Sequence, residues 1–450
     1  MVGWFGFPCY TFGAMDEFFT INWDALAAFG SNPYAGMWWL FMNGGWIVFL
    51  WLFLWMAREM FLAWRQGIFA AKRSFVVLAV SVPRMQEQGP RAVDNMFAYL
   101  SAAHGGQSWK EKWIDGAFQN VISCEIASFE GRIQYMFRVV KGHRDLVEAA
   151  VYAQYPDAEI VEIQDYAKVP ASKFEDPDWD LWGTEMVPVK PDVFPLRTYP
   201  DFEDPVSQEF KDPMTGLLEG FARLGEGEQA WFQIILTPVG QGDFQKATSA
   251  MVKKLKGEKV EAKKGLLMEI AEAPFNVLMW VVDGLIGSAP AKPPEKKEAG
   301  NKMQGMTQME KDTIHAVERK ASKIVYQVKM RFIYVAKRQN SAKQKIIMPF
   351  MGSLKQLAAN NLQALKPENK KTGINGSLIW FKTWRNAGRK TRLMANYRAR
   401  DASAGAATFH LNTEELATLW HFPHSFQVKA PQIQKTESKR TEPPTNLPFG

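Results

Sequence analysis

The apolar positions are distributed very unevenly. From Ala25 to Ala57 there is no charged residue, and no Lys or Arg occurs before Arg58. Met37 to Met56 (MWWLFMNGGWIVFLWLFLWM) is continuous enough to predict a helix of about the 20 residues needed to cross hydrocarbon. The cations Arg58, Arg65, Lys72 and Arg73 follow at once. Basic residues are retained on the cytoplasmic side, so this asymmetry predicts a single-pass protein of the cell (inner) membrane, N-terminus outside and the bulk cytoplasmic. A cleaved leader would need a basic start and an earlier apolar run, whereas Asp16, Glu17 and Asp24 precede this one. The aromatic content of the run (Trp38, Trp39, Trp46, Trp51, Trp55) suits the headgroup boundary.

Beyond the run the periodicity changes. Ser74–Val82 reads as a short β-branched strand stopped by Pro83, and Ala92–Ala103 as a helix with Val93, Met96, Phe97 and Leu100 on one stripe. Val121–Ser128 and Arg132–Val140 read as a hairpin around Phe129-Glu130-Gly131. His143–Ala153 has a buried helical face, and Ala158–Tyr166 closes the set as a strand. The order β-α-β-β-α-β is that of a ferredoxin-like sandwich. A looser copy follows: a strand within Glu185–Tyr199, a helix over Val206–Arg223, strands over Gln229–Val239 and Lys323–Lys337, and a helix over Ser341–Leu365, with no assigned last strand. In Lys323–Lys337, Ile324, Tyr326, Val328, Met330, Phe332 and Tyr334 share one face, and Gln327, Lys329 and Arg331 share the other.

The expected fold class is therefore α+β: one N-terminal transmembrane helix, then tandem ferredoxin-like units, the second with a helical insertion. Its parts are an extracytoplasmic segment (1–35), the transmembrane helix (36–62), a first unit (74–168), a second unit (183–425) with an insertion at 240–320, and an extended Pro-rich tail (426–450). Within the insertion, Asp243–Lys256 reads as a helix with a basic end. Pro274–Gly287 is too short and too interrupted by Asp283 to cross a bilayer, and Ser288–Gly305 is a polar linker.

Charge changes the picture more than composition does. The net charge of +7 conceals a segment, Ala321–Arg400, with eighteen Lys/Arg against the single acid Glu368. Ala171–Glu228 holds fourteen Asp/Glu against five Lys/Arg. Segments this polarised either face each other, within the chain or in a homo-oligomer, or face anionic lipid or nucleic acid. Aromatic residues interleave the basic segment (Trp380, Phe381, Trp384, Tyr397), a composition compatible with single-stranded nucleic acid as well as with a strand core.

Catalytic signatures are lacking. The closest approach to a phosphate-binding loop places Thr383 where the first glycine belongs and Arg389 where the lysine belongs. Cys9 and Cys124 cannot form a disulfide framework or a cysteine zinc site. His421 and His424 are separated by Pro423 without a completing acid or thiol. No catalytic, cofactor or metal residue is assigned. The candidate partner or nucleic-acid contacts are Lys329, Arg331, Lys382, Arg385, Arg389, Lys390 and Arg392, with Leu416 and Trp420 on a helix capped by Asn412 or Thr413 and ended by Pro423.

Two strings carry a resemblance. Cys124–Asp165 and Leu411–Pro423 (LNTEELATLWHFP), with Val428-Lys429-Ala430-Pro431 and Pro443-Pro444-Thr445-Asn446-Leu447-Pro448 beyond, resemble an uncharacterised family of membrane-anchored proteins of candidate-phyla bacteria. That family is similar to the membrane-proximal region preceding the HerA/FtsK-like motor of type IV secretion and conjugation ATPases. In its longer members a Walker-type domain follows the string. The resemblance implies a non-enzymatic docking subunit of a DNA-transfer apparatus, with the ATPase as a separate protein, and a membrane-tethered single-stranded DNA-binding module is the alternative.

Overall fold

The computed structural model describes residues 34, 38, 41–83, 88–168, 173–174, 176–204, 210–257, 306–374 and 382–423. Most of the segment 1–35, the runs Pro274–Gly287 and Ser288–Gly305, His424, Trp380, Phe381 and the tail 426–450 lie outside the described residues. Two compact units are formed, one from Met1–Lys72 with Gln107–Phe118, the other from Arg73–Gly106 with Gln119–Gly450.

In the first unit a π-helical turn, Phe41–Gly45, leads into α1, Trp46–Ala71. At 26 residues α1 is about 39 Å long and continues well past residue 62, because neither Gly nor Pro interrupts it before Gly67. Among the described residues no helix is long and apolar enough to cross a membrane. The apolar part of α1 stops at Ala57, where Arg58 and Glu59 enter.

The second unit is a mixed α+β body on one large antiparallel sheet. Its strands are β1 Phe75–Ser81, β2 Ile122–Phe129, β3 Arg132–Val140, β4 Glu159–Ile163, β5 Trp179–Pro188, β6 Glu228–Pro238, β7 Val325–Lys337, β8 Leu365–Pro367 and β9 Phe409–Asn412. Their spatial order is β4-β1-β3-β2-β6-β7-β5-β8, with β9 paired to the start of β7. The first four strands run 4-1-3-2, and the next four repeat that order in mirror sense. The two sets join where β2 meets β6, from Ile122 opposite Leu236 to Phe129 opposite Gln229. The β2–β3 turn is two residues long, and Glu130 and Gly131 both take positive φ (53° and 87°), as the twist of a tight hairpin requires.

The helices are α2 Pro90–Leu100, α3 Arg144–Tyr152, α4 Thr215–Ala222, α5 Gln241–Leu255, α6 Gln308–Ser322, α7 Gln344–Gln356, α8 Lys382–Ala399 and α9 Thr413–Leu419. Several elements differ from expectation, among them α7, which ends at Gln356 and leaves Leu365 to open β8. β5 starts at Trp179, ahead of Glu185, since the Asp176 carboxylate accepts from the Asp178 and Trp179 amides and turns the chain into the sheet. α4 starts only at Thr215, after Asp212-Pro213, where the Asp212 carboxylate accepts from the Met214 amide. The last strand that the pattern left unplaced is β8, three residues held against Met186–Pro188.

Both faces of the sheet are covered. Tyr326, Val328, Met330, Phe332 and Tyr334 point into the larger core with Phe97, Val147, Phe221 and Phe350 from the helices. Ile333 and Val335 point into a second core with Trp231, Leu393 and Tyr397. The string LNTEELATLWHFP is β9 plus α9, and it is buried from Leu411 to Phe422. Asn412 caps α9, and Glu415 returns the bond to the Asn412 amide. Trp420 then sits among Phe97, Tyr135, Phe137 and Phe422, with ring centroids 4.8–6.0 Å away. One short segment thus pairs with β7 of the second strand set and fills the core of the first.

Trp420→Ala is expected to lower unfolding stability by about 3–5 kcal/mol, read from denaturant titration as a lower midpoint at an unchanged slope. A loss below about 1 kcal/mol would mean that the segment is not part of the core.

Candidate functional site

The central strands each carry a long polar or charged residue near mid-strand: Glu125 in β2, Gln233 in β6, Arg331 in β7 and Glu185 in β5. The register sets them side by side, Glu125 opposite Gln233, Gln233 opposite Arg331 and Arg331 opposite Glu185. The result is a polar row across the sheet, including the β2–β6 seam. All four residues are fully buried.

The row is closed from above by the end of α8 and the loop after it. Arg400, in left-handed conformation (φ 52°), places its guanidinium 2.9 and 3.0 Å from the two Glu125 oxygens and 2.7 and 3.0 Å from those of Asp165. Glu125 also accepts from Ser123 Oγ (2.6 Å), Tyr166 Oη (2.7 Å) and Gln233 Nε2 (3.0 Å). Arg331 donates to Glu185 (2.8 Å) and to the Asp401 and Ala404 carbonyls. Glu185 in turn accepts from the Ala406 amide at 2.5 Å. A Cβ at Gly405 would lie 2.3 Å from Glu185 Oε2, so only glycine lets the loop approach this closely.

Burial alone would raise the Glu125 carboxyl. The Arg400 charge and the hydrogen bonds from Arg400, Ser123 and Tyr166 outweigh it and hold the group below its ordinary value. Burial and the Glu125 charge push the Tyr166 hydroxyl well up, and burial does the same to Tyr397, whose Oη lies 2.7 Å from that of Tyr166. These groups satisfy one another inside the protein, and a recess of about 610 Å³ lined by Arg138, Asp165 and Tyr166 reaches the outer end of the network.

A second buried cluster surrounds α9. Glu414 meets Arg319 (2.8 Å), Lys323 (2.9 Å) and Thr198 Oγ1 (2.5 Å), and Glu415 meets Lys320 (3.1 Å). His421 donates through Nδ1 to the Ala417 carbonyl, with Nε2 3.2 Å from Asp212. Burial opposes the imidazolium, but the Asp212 carboxylate and these bonds win, and the His421 pKa is raised. His421 is accordingly half of a buried ion pair.

The sequence-predicted contacts divide sharply. Lys329 (1% exposed), Arg331, Leu416 and Trp420 (each 0%) are interior and cannot meet a partner, which corrects their assignment. The polar face of β7 is roofed by α8 and the 400–406 loop, and the α9 face is packed on α2. Lys329 donates to the Ala406 carbonyl there, and burial lowers its pKa. Lys382, Arg385, Arg389, Lys390 and Arg392 do share one element, α8, which carries no acid. Lys390 is bound to Asp180 and Arg389 to the Gly373 carbonyl. Lys382, Arg385 and Arg392 join no ion pair among the described residues. Trp384, 70% exposed, stands beside them at a recess of about 440 Å³ that it lines with Phe174, Arg338, Asn386 and Lys390.

The acidic and basic segments also meet directly, through Glu185–Arg331, Asp180–Lys390 and Glu228–Lys345. The partners sequence reasoning missed, Glu125, Gln233 and Glu185, had a visible signal: a long polar side chain flanked by apolar residues near the middle of a strand. Asp165 and Arg400 had none, because only folding brings them together.

Arg400→Met strands the buried Glu125 and the partly buried Asp165 and is expected to cost about 3–5 kcal/mol in denaturant titration. Glu125 titrates below its unfolded value, so its contribution is complete above about pH 4.5 and is lost as pH falls through the folded pKa. His421 titrates above its unfolded value, so its contribution is complete below about pH 6.5 and is lost as pH rises through the folded pKa. Glu125→Gln should flatten the acid limb of stability against pH, and His421→Gln the limb above neutrality. An unchanged slope in either variant would refute the corresponding pair.

No curated protein matches the chain. A family model described as Domain of unknown function (DUF8128) matches residues 82–436, more than half of the length and the whole stretch from the end of β1 past α9. The chain belongs to the DUF8128 family.

Proposed function

We propose that this chain is a single-pass scaffold of the cell membrane, a non-enzymatic docking subunit of a type IV secretion or conjugation-like DNA-transfer apparatus. Its two strand sets are ferredoxin-like units that present α8 to a separate HerA/FtsK-like ATPase on the cytoplasmic side. The observation that carries the reading is the contrast between buried and exposed charge. Carboxylates that could serve chemistry, such as Glu125, Glu185 and Glu414, are consumed in buried pairs, while exposed Lys382 and Arg392 and half-buried Arg385 lie on a helix without acids. A surface cation that neutralises nothing internal contributes little to stability and much to steering an anionic partner. The 4-1-3-2 strand order and its mirrored repeat support the ferredoxin-like units. The apolar side chains that α1 exposes from Trp46 to Met56 support the anchor.

Trp384 favours a second reading. An exposed tryptophan among cations is the stacking platform that single-stranded DNA uses, and the same helix would then hold the transported strand.

Lys382→Glu/Arg385→Glu/Arg392→Glu is expected to leave stability within about 0.5 kcal/mol of the parent. It should weaken capture of a HerA/FtsK-like ATPase from the same organism by at least about tenfold at low salt. Oligonucleotide binding that falls steeply with salt and is lost with Trp384→Ala would select the DNA-binding reading instead. Neither binding activity in the full-length protein would end both.

A further inference from the structure

The segment Gln107–Phe118, inserted between α2 and β2, belongs to the same compact unit as α1. It is built as a small device. Ser108 Oγ accepts from the Glu111 amide, and the Glu111 carboxylate accepts from the Ser108 amide, which starts a short helical stretch over 109–115. Gly116 ends it in left-handed conformation, φ 69°.

The stretch is clamped on the lower half of α1. Arg65 Nε donates to the Ile114 carbonyl at 2.5 Å. The Arg58 guanidinium lies 5.4 Å from the Trp113 ring centre, and Phe69 meets Phe118 edge-on at 5.8 Å. A Cβ on Gly116 would lie 2.4 Å from the Arg65 backbone carbon, so the approach is backbone to backbone. The clamped stretch nevertheless turns Trp109 (72% exposed) and Ile114 (46%) outward, with Lys110 and Lys112 exposed beside them. Along α1 itself Met60, Phe61 and Trp64 are also exposed.

A single outward apolar side chain needs no explanation, but here Trp109 and Ile114 are held against a helix whose own apolar residues are exposed. The occupant follows from two features. First, α1 exposes Phe49 to Met56 without a gap, all the way round the helix; a protein partner covers one side, whereas lipid covers every side. Second, 41–72 and 107–118 together hold five Lys/Arg against three Asp/Glu, and Glu111 is occupied as a cap. Tryptophan with lysine next to an apolar helix is the composition of the headgroup boundary of an anionic bilayer.

We propose that Ser108–Gly116 is a membrane-interface foot. Trp109 and Ile114 enter the headgroup region of an anionic bilayer, Lys110 and Lys112 meet its phosphates, and the clamp on α1 holds the foot at that depth. The inference rests on the reading of α1 as lying in lipid, and it adds a second contact that sets the rotation and depth of the helix.

The test uses the full-length chain with Cys9→Ser, reconstituted in phosphatidylcholine vesicles with and without phosphatidylglycerol. Cys124 is fully buried with its thiol pKa pushed well up, so a dye reacts at an introduced cysteine. A polarity-sensitive dye is placed at Trp109→Cys or, as a control in the second unit, at exposed Tyr99→Cys. The dye at 109 should shift to the blue and be quenched by brominated acyl chains in phosphatidylglycerol vesicles, and the dye at 99 should do neither. Reversal of Lys110 and Lys112 to Glu should weaken insertion about fivefold per cation. Gly116→Val should return the dye at 109 to water while the chain still co-floats with vesicles. A dye at 109 as aqueous as that at 99, in a chain that co-floats, overturns the foot and leaves the anchor standing. A chain that does not co-float overturns the anchor and the foot with it.

Discussion

The structure depends on a line of charge that has nowhere to go but inward. Glu125, Gln233, Arg331 and Glu185 occupy one row across β2, β6, β7 and β5, and desolvating any of them singly would cost several kcal/mol. They are tolerable only as a set, with Arg400 and Asp165 completing the compensation. The row also spans the seam where β2 meets β6. A register slip there by one residue would part Glu125 from Gln233 and set one side of the row against the apolar face of the other. The apolar parts of the two strand sets could pair in several ways. The charges allow one.

The α9 segment applies the same logic at the other face. Its string of sequence carried the resemblance, and the structure shows what its residues do inside the fold. Asn412 and Glu415 satisfy the helix start, Glu414 gathers Arg319 and Lys323, and Trp420 fills a space bounded by Phe97, Tyr135 and Phe137. A segment in which every residue has an internal partner has none left for an external one. What remains outward is simple by comparison: a basic helix with one tryptophan, and the tryptophan-rich surface of α1 with its clamped loop.

Much of the fold was legible in the chain. Period-two runs located β1, β2, β3, β6 and β7 within a residue or two, and the apolar stripes of α2 and α3 were plain. The errors have identifiable causes. β5 and α4 moved because Asp176 and Asp212 redirect the backbone through their own side chains, an effect stronger than hydrophobic period at short range. The helical stretch 109–115 was overlooked although Ser108, Glu111 and Gly116 spell its start and stop, since its apolar residues face outward and leave no buried stripe.

The sequence by itself determined where most of the strands of the sheet lie, which face of each is apolar, and that charge is segregated between 171–228 and 321–400. It could not determine which charges are surface and which are core. Lys329 and Arg331 alternate with apolar residues like solvent-facing positions of a half-buried strand, and only the arrival of α8 and the 400–406 loop turns that face into interior. Burial is a property of what lands on a face, and the covering elements here lie some seventy residues further along the chain. Period and composition report local preference. The pairing of Arg400 with Glu125, 275 residues apart, exists only once the sheet has been assembled.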